Sequence, residues 1–159
     1  SPTRGVWMGG RTGPAVGDKV ATIEYSTIAT LGNNADFGDL TAATSHNGGC
    51  SNAVRALNGM GYISPSANTS TNTVNYITIA TLGNAVDFGD ATRAHYNLKA
   101  CSSSIRGVFV GGGTPSSPYN TNIMDYGQFA STGNLIDFGD LLDANNEAAG
   151  CTSNGHGGL

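Results

Sequence analysis

Six of the eleven acidic residues stand in three copies of one string, Asp-Phe-Gly-Asp. They are Asp36 and Asp39, Asp87 and Asp90, and Asp137 and Asp140. Paired carboxylates beside turn carbonyls suit a hard cation, so the chemistry these residues offer is a row of calcium sites. Each string supplies two carboxylates separated by Phe-Gly, fewer oxygens than an EF-hand-like loop gathers. The competing role is architectural. Asp accepts hydrogen bonds from backbone N–H groups in turns, Gly supplies an unusual backbone angle, and Phe plugs the space between neighbouring units. The residue types favour the architectural role, with calcium as the alternative and no cofactor required.

Other reactive side chains give weaker patterns. Cys50, Cys101 and Cys151 recur at matching places, an odd number and a poor disulfide framework. With no C-x-x-C pair they read as small buried side chains rather than zinc ligands. His46, His95 and His156 are not in register with those cysteines, as a repeated metal site would demand, and read as surface or turn residues. No G-x-S-x-G string is present. The aspartate pairs match the carboxylate count of a glycosidase, but they recur in every copy, whereas an active site is usually singular. No enzyme is expected.

These residues are positioned by an internal repeat. Asp36, Asp87 and Asp137 are spaced 51 and 50 residues apart, and Arg4, Arg55 and Arg106 keep nearly the same step. The 159 residues are therefore expected to form one β-repeat domain, with repeats at 1–51, 52–102 and 103–159. Each repeat reads as four short strands. In the last, "LKACSSS", "IRGVFVGGG", "IMDYGQFAS" and "LIDFGDLL" are separated by turn signals. Pro14, Pro65, Pro115 and Pro118 fall in the loop after the second strand, never inside a strand. Apolar residues on both faces of the inner strands predict sheets covered on both sides. In the second repeat Asn58 interrupts this pattern and predicts looser packing there, or a contact.

Composition narrows the function classes. Charged residues make up 11% of the chain, and 24 glycines fit many tight turns. Net charge is −4, and the seven Lys and Arg residues are scattered, which argues against a nucleic-acid partner. No apolar run approaches a membrane span. The variable segments "RTGPAVGDK", "ISPSANTSTN" and "TPSSPYNTN" are the expected recognition surface on a constant frame. Tyr62 and Tyr119 lie beside two of them, as candidate contacts for a sugar or a partner pocket. Asn68 opens an N-x-S/T acceptor pattern in the second.

Each repeat resembles a kelch-type propeller blade. "WMGG", the partial "GMGY" and "VFVGGG" carry the Gly-Gly after a strand. "EY", "NY" and "DY" stand for the Tyr-Asp pair in altered order, and Phe37, Phe88 and Phe138 stand where kelch repeats have Trp. The fuller sentence "RGVFxGG … DYxxxA-TGNxxDFGD … C-S" is similar to repeat arrays in tail-fibre and other virion proteins of marine bacteriophages, over essentially the whole chain. That resemblance implies a non-enzymatic structural or receptor-binding module of a virion, or an extracellular one. Its implied partners are copies of itself, other virion proteins and host surface glycan. A lectin-like or protein-binding propeller unconnected with virions is the alternative, and a glycan-cleaving enzyme a distant third. Kelch-fold copper oxidases are known, but this chain offers no cluster of Tyr, His and Cys to match them.

Propellers have about four to eight blades. Three repeats are therefore expected to be completed by further copies, as a ring or a fibre, or to close on themselves as a threefold β-prism.

Overall fold

The computed structural model describes residues 3–65, 69–147 and 150. Cys151, His156 and Asn68 lie outside the described residues. The fold is all-β, with one short 3₁₀ turn at Val16–Asp18. The strands are β1 (Arg4–Arg11), β2 (Lys19–Thr27), β3 (Ala35–Ser45), β4 (Gly48–Ser51), β5 (Arg55–Gly59), β6 (Tyr62–Ile63), β7 (Thr73–Thr78), β8 (Val86–Asp90), β9 (Lys99–Ser102), β10 (Arg106–Val110), β11 (Thr121–Gln128) and β12 (Ile136–Asn145). They form three four-stranded antiparallel sheets: sheet 1 in the order β1-β2-β3-β6, sheet 2 β4-β5-β7-β8, and sheet 3 β9-β10-β11-β12.

Sheets 2 and 3 each draw their first strand from just before the sequence boundary of their repeat. β4 and β9 are the Cys-bearing strands, and they pair with β5 and β10. Sheet 1 instead gains β6, whose Tyr62 and Ile63 reach across from the loop after β5 to pair with Ser45 and Thr44.

The Gly-Gly motif has a backbone cause. Gly9-Gly10, Met60-Gly61 and Gly111-Gly112 all adopt positive φ. At the second position a side chain has no room in sheets 2 and 3: a Cβ on Gly61 would stand 2.4 Å from the Ser45 carbonyl oxygen, and one on Gly112 2.7 Å from that of Tyr96, whereas one on Gly10 would meet nothing within 4 Å. At the first position Met60 adopts the strained angle and buries its side chain in the core.

The apolar core lies between sheets. Ile23, Phe37 and Leu40 meet Ala56, Ile77 and Ile79 between sheets 1 and 2. Leu57, Val74 and Phe88 meet Leu98, Phe109 and Phe129 between sheets 2 and 3. Sheet 2 is thereby buried on both faces, as the unbroken apolar strands predicted, whereas Trp7 on sheet 1 and Phe138 on sheet 3 stay exposed. Of the two expectations for Asn58, a contact rather than loose packing is found: it is buried against sheet 1 with its polar atoms partnered. Its carbonyl accepts from the Asn47 amide at 2.9 Å, and its own amide donates to the Met8 carbonyl at 3.4 Å.

Candidate binding surfaces

The thrice-written string builds the joint between sheets. In β3, Ile23 pairs with Gly38 and the next residue, Glu24, pairs with Asp36, so Phe37 is the extra residue of a β-bulge. The same slip occurs opposite Phe88 and Phe138. Phe37 and Phe88 are thereby thrown toward the following sheet, each edge-on to a tyrosine of its own sheet, Tyr25 and Tyr76.

The following sheet answers with its Gly-Asn turn. Gly83 N–H donates to the Phe37 carbonyl at 2.8 Å, and Ala85 N–H to that of Asp39 at 2.8 Å. Asp39 N–H donates to the Asn84 side-chain oxygen at 3.0 Å. Gly133, Leu135 and Asn134 repeat all three bonds with Phe88 and Asp90 at 2.7, 2.8 and 3.1 Å. The approach is so close that a Cβ on Gly38 would lie 2.5 Å from the Gly83 backbone, and one on Gly89 2.4 Å from that of Gly133.

An arginine completes each joint. Arg4 lies over the Tyr25 ring and donates to the Ile79 carbonyl of sheet 2 at 2.6 Å. Arg55 lies over Tyr76 and donates to the Phe129 carbonyl of sheet 3 at 2.7 Å.

Four of the six aspartates take part in hydrogen bonds with the backbone or the docking turn, Asp39 and Asp90 through the bonds above. Asp87 and Asp137 each accept from the glycine two residues on, at 3.0 and 2.9 Å. Among the described residues no three His, Cys, Asp or Glu side chains gather as a metal centre requires.

The two end faces of the array carry unmatched halves of this joint. On sheet 3, Arg106 lies over Tyr126, and Phe138 is edge-on to the same ring, yet Phe138 is 49% exposed where Phe37 and Phe88 are 3%. A Cβ on Gly139 would meet nothing within 4 Å. On sheet 1, Ile28 is 63% exposed where its counterparts Ile79 and Phe129 are 4% and 2%. Trp7 is 52% exposed where Asn58 and Phe109 are 5% and 2%. Gly32 and Asn33 stand in the places of the docking turns Gly83-Asn84 and Gly133-Asn134.

The loops form another surface. Tyr62 stacks on Tyr96 with ring centroids 4.3 Å apart and takes His46 edge-on. Burial and the Tyr96 hydroxyl push its phenol well above the ordinary range. Tyr62 is thus half-buried in a ring stack. Tyr119, by contrast, is exposed on a loop pinned by Thr114, whose hydroxyl donates to the Ser116 carbonyl at 2.7 Å and to that of Pro118. That loop walls a cleft of about 520 Å³ whose polar lining includes Arg93, Ser116, Asn120 and Asn122.

Sequence reasoning placed all three histidines on the surface or in turns. His46 is an exposed turn residue with φ 60°. His95 is buried, its Nε2 without a partner among the described residues, and burial pulls its imidazole down to about 4. Asp125, also missed, is buried in β11 and accepts from the Thr92 backbone at 3.1 Å and from its hydroxyl at 2.8 Å. Its alignment with Glu24 and Asn75, four residues before Ile28, Ile79 and Phe129, was the available signal.

No protein-family model and no curated protein matches the chain. Solved structures do. One is a fungal alcohol oxidase with catalytic diversity among the AA5 family, in complex with copper, at a TM-score of 0.62 and 12% identity. The match covers 80% of this chain and 29% of that one. At such identity the likeness is one of fold.

Proposed function

We propose that the chain is a non-enzymatic, self-associating module whose three sheets are kelch-like blades of a β-propeller completed by further copies. The observation that carries this reading is the pair of end faces. Sheet 3 presents Arg106, Phe138 and Gly139, the half-joint that Arg55, Phe88 and Gly89 use inside the chain. Sheet 1 presents Ile28, Gly32 and Asn33, the half that receives it. Complementary faces on opposite ends of one molecule make a head-to-tail contact, which closes as a ring or runs on as a fibre. Two copies give six blades, within the usual range. The bare Ile28 and Phe138 favour completion by copies over a self-closed prism.

On this frame the role is that of a virion structural or receptor-binding protein, a tail fibre or surface appendage, found in the virion or outside cells. The similarity of the "GNxxDFGD" arrays to virion proteins supports that placement, and the exposed Tyr119 beside a cleft lined by Pro115, Pro118 and Ile123 with Arg93 and Asn120 supports contact with host glycan. The alcohol oxidase likeness contributes a fold and no residue.

Native mass by light scattering on a sizing column tests the reading. A mass of two chains, or a ladder of larger species, is expected, with Ile28→Asp reverting it to one chain. A single-chain mass for the unaltered protein at all concentrations overturns it. Tyr119→Ala should lower retention on host polysaccharide without changing the mass.

A further inference from the structure

One position after the Asp-Phe-Gly-Asp string changes its charge from repeat to repeat: it holds Ala42, Arg93 and Asp143 in turn. In sheet 2 the backbone beside it is clamped. The buried Asp125 carboxylate accepts from the Thr92 N–H at 3.1 Å and from the Thr92 hydroxyl at 2.8 and 2.9 Å, which ties the residue before Arg93 to β11. Arg93 itself is exposed, and its guanidinium makes no hydrogen bond or ion pair among the described residues. Arg4, Arg11 and Arg55, by contrast, all donate to backbone carbonyls.

Arg93 lines the cleft of about 520 Å³ beside the 114–118 loop. That volume falls among small-ligand sites, about 300–1,000 Å³. The cleft is a built one. Thr114 pins the loop through the Ser116 and Pro118 carbonyls, and the Asn122 amide donates to the Leu141 carbonyl at 3.3 Å. Three kinds of group meet there. Arg93 is the charge, and no carboxylate lines the cleft among the described residues. Ser116, Ser117 and Asn120 bring hydroxyl and amide groups that make no hydrogen bond among the described residues. Pro115, Pro118 and Ile123 bring apolar wall.

These groups are complementary to a sugar that carries a carboxylate. Its hydroxyls meet the neutral polar side chains, its C–H face meets the prolines, and its carboxylate meets the planar guanidinium fork, which matches it with two parallel hydrogen bonds. One guanidinium balances one carboxylate, whereas a polysulfated chain would bring rows of charge that a lone cation leaves uncompensated. We infer that this cleft binds an acidic residue of a surface glycan, a uronate or a sialate, with its carboxylate on Arg93. This rests on the glycan reading above and adds the class of sugar and the residue that selects it. Asp125 and Thr92 are positioning residues, holding the segment that carries Arg93.

Titration calorimetry on the full chain tests it, with a galacturonate tetramer, a mannuronate tetramer and sialyllactose, each beside its methyl ester. The ester keeps the sugar and removes only the charge. At least one acid should bind about tenfold or more tighter than its ester, in line with the strength of charge-assisted hydrogen bonds. Arg93→Gln should bring that acid down to the affinity of its ester. Arg93→Lys should keep part of the preference, because the charge stays and the fork is lost. Neither variant should move the melting temperature, since Arg93 is exposed. Equal affinity for acid and ester overturns the acidic-sugar inference and leaves the glycan reading standing. A preference for the acid that survives Arg93→Gln overturns the assignment to this cleft. Failure of every acid to bind, with retention on host polysaccharide intact, overturns the inference alone. Failure of the acids together with loss of that retention overturns both readings.

Discussion

Phe88 and Phe138 hold the same place in the repeat, make the same edge-on contact with a tyrosine of their own sheet, and differ in what covers them. Phe88 is covered by sheet 3; Phe138 faces outward. The local strand, the bulge and the Arg–Tyr–Phe group are thus formed by each repeat alone, since sheet 3 has them without a following neighbour. Only the docked turn and the burial depend on the next sheet. The repeat supplies its own half-joint in advance, so adding a sheet costs little further ordering, and most of the gain is apolar burial.

Pairs of matched substitutions sharpen that comparison. Gly89→Ala should have the largest effect. It combines a side chain at φ 140° with a collision against the Gly133 backbone, for about 3–5 kcal/mol in urea unfolding. Gly139→Ala meets open space and should cost only the angle, about 1–2 kcal/mol, while lowering association. Equal losses at the two sites would contradict the docking role of the string. Next, Phe88→Ala should lose about 3–5 kcal/mol by opening the core between sheets 2 and 3. Phe138→Ala should leave the single-chain melting temperature nearly unchanged and raise the dissociation constant of the assembly. Arg55→Ala is smaller still, about 1.5–3 kcal/mol for a charged donor to a part-buried carbonyl. Arg106→Ala, left with its ring contact, should cost about 0.5–1 kcal/mol.

Much of this was legible in the sequence and some was not, for physical reasons. The four strands of the last repeat fall where the turn residues put them, because Gly, Pro and Asn clusters interrupt backbone pairing wherever they occur. That "DFGD" joins sheets was readable from its repetition alone. That Phe is a bulge residue was not, since a bulge is defined by the partner's register and "MDYG" and "TIEY" do not display it. The link from β6 to sheet 1 was hidden because Tyr62 and Ile63 read as the start of a loop. His95 misled because burial depends on neighbours distant in sequence. It is enclosed where Gly61 N–H donates to its carbonyl at 2.7 Å, a contact across the top of sheet 2. That the carboxylates of Asp87 and Asp137 accept from their own backbone was not legible either, since a count of carboxylates in the string does not show where they turn.

The smallest expected effects are in pH, and they run in opposite directions at two buried sites. Burial, with Arg93 adding repulsion, holds the His95 imidazole at about 4, below its usual 6.5. The folded state therefore disfavours its charged form. Its stabilising contribution is whole above about pH 6.5 and is lost as pH falls toward 4. His95→Gln should flatten that part of the melting-temperature curve, and an unchanged slope would show that His95 is not the titrating group. Asp125 has the reverse sign. Burial raises its carboxyl above the usual range, and the two Thr92 hydrogen bonds only partly offset it. A raised folded value means stability that is present in acid and lost as pH climbs through it. The matching residue in sheet 2 is Asn75, which accepts from the Thr41 hydroxyl at 2.6 Å with no charge to desolvate. Asp125→Asn should thus gain on the unaltered protein as pH rises from 4 to 7, read as the difference between their melting temperatures. If the gap instead narrows with pH, the Thr92 bonds outweigh burial, and the joint between sheets 2 and 3 holds its carboxylate as an anion by design of the hydrogen bonds rather than in spite of the core.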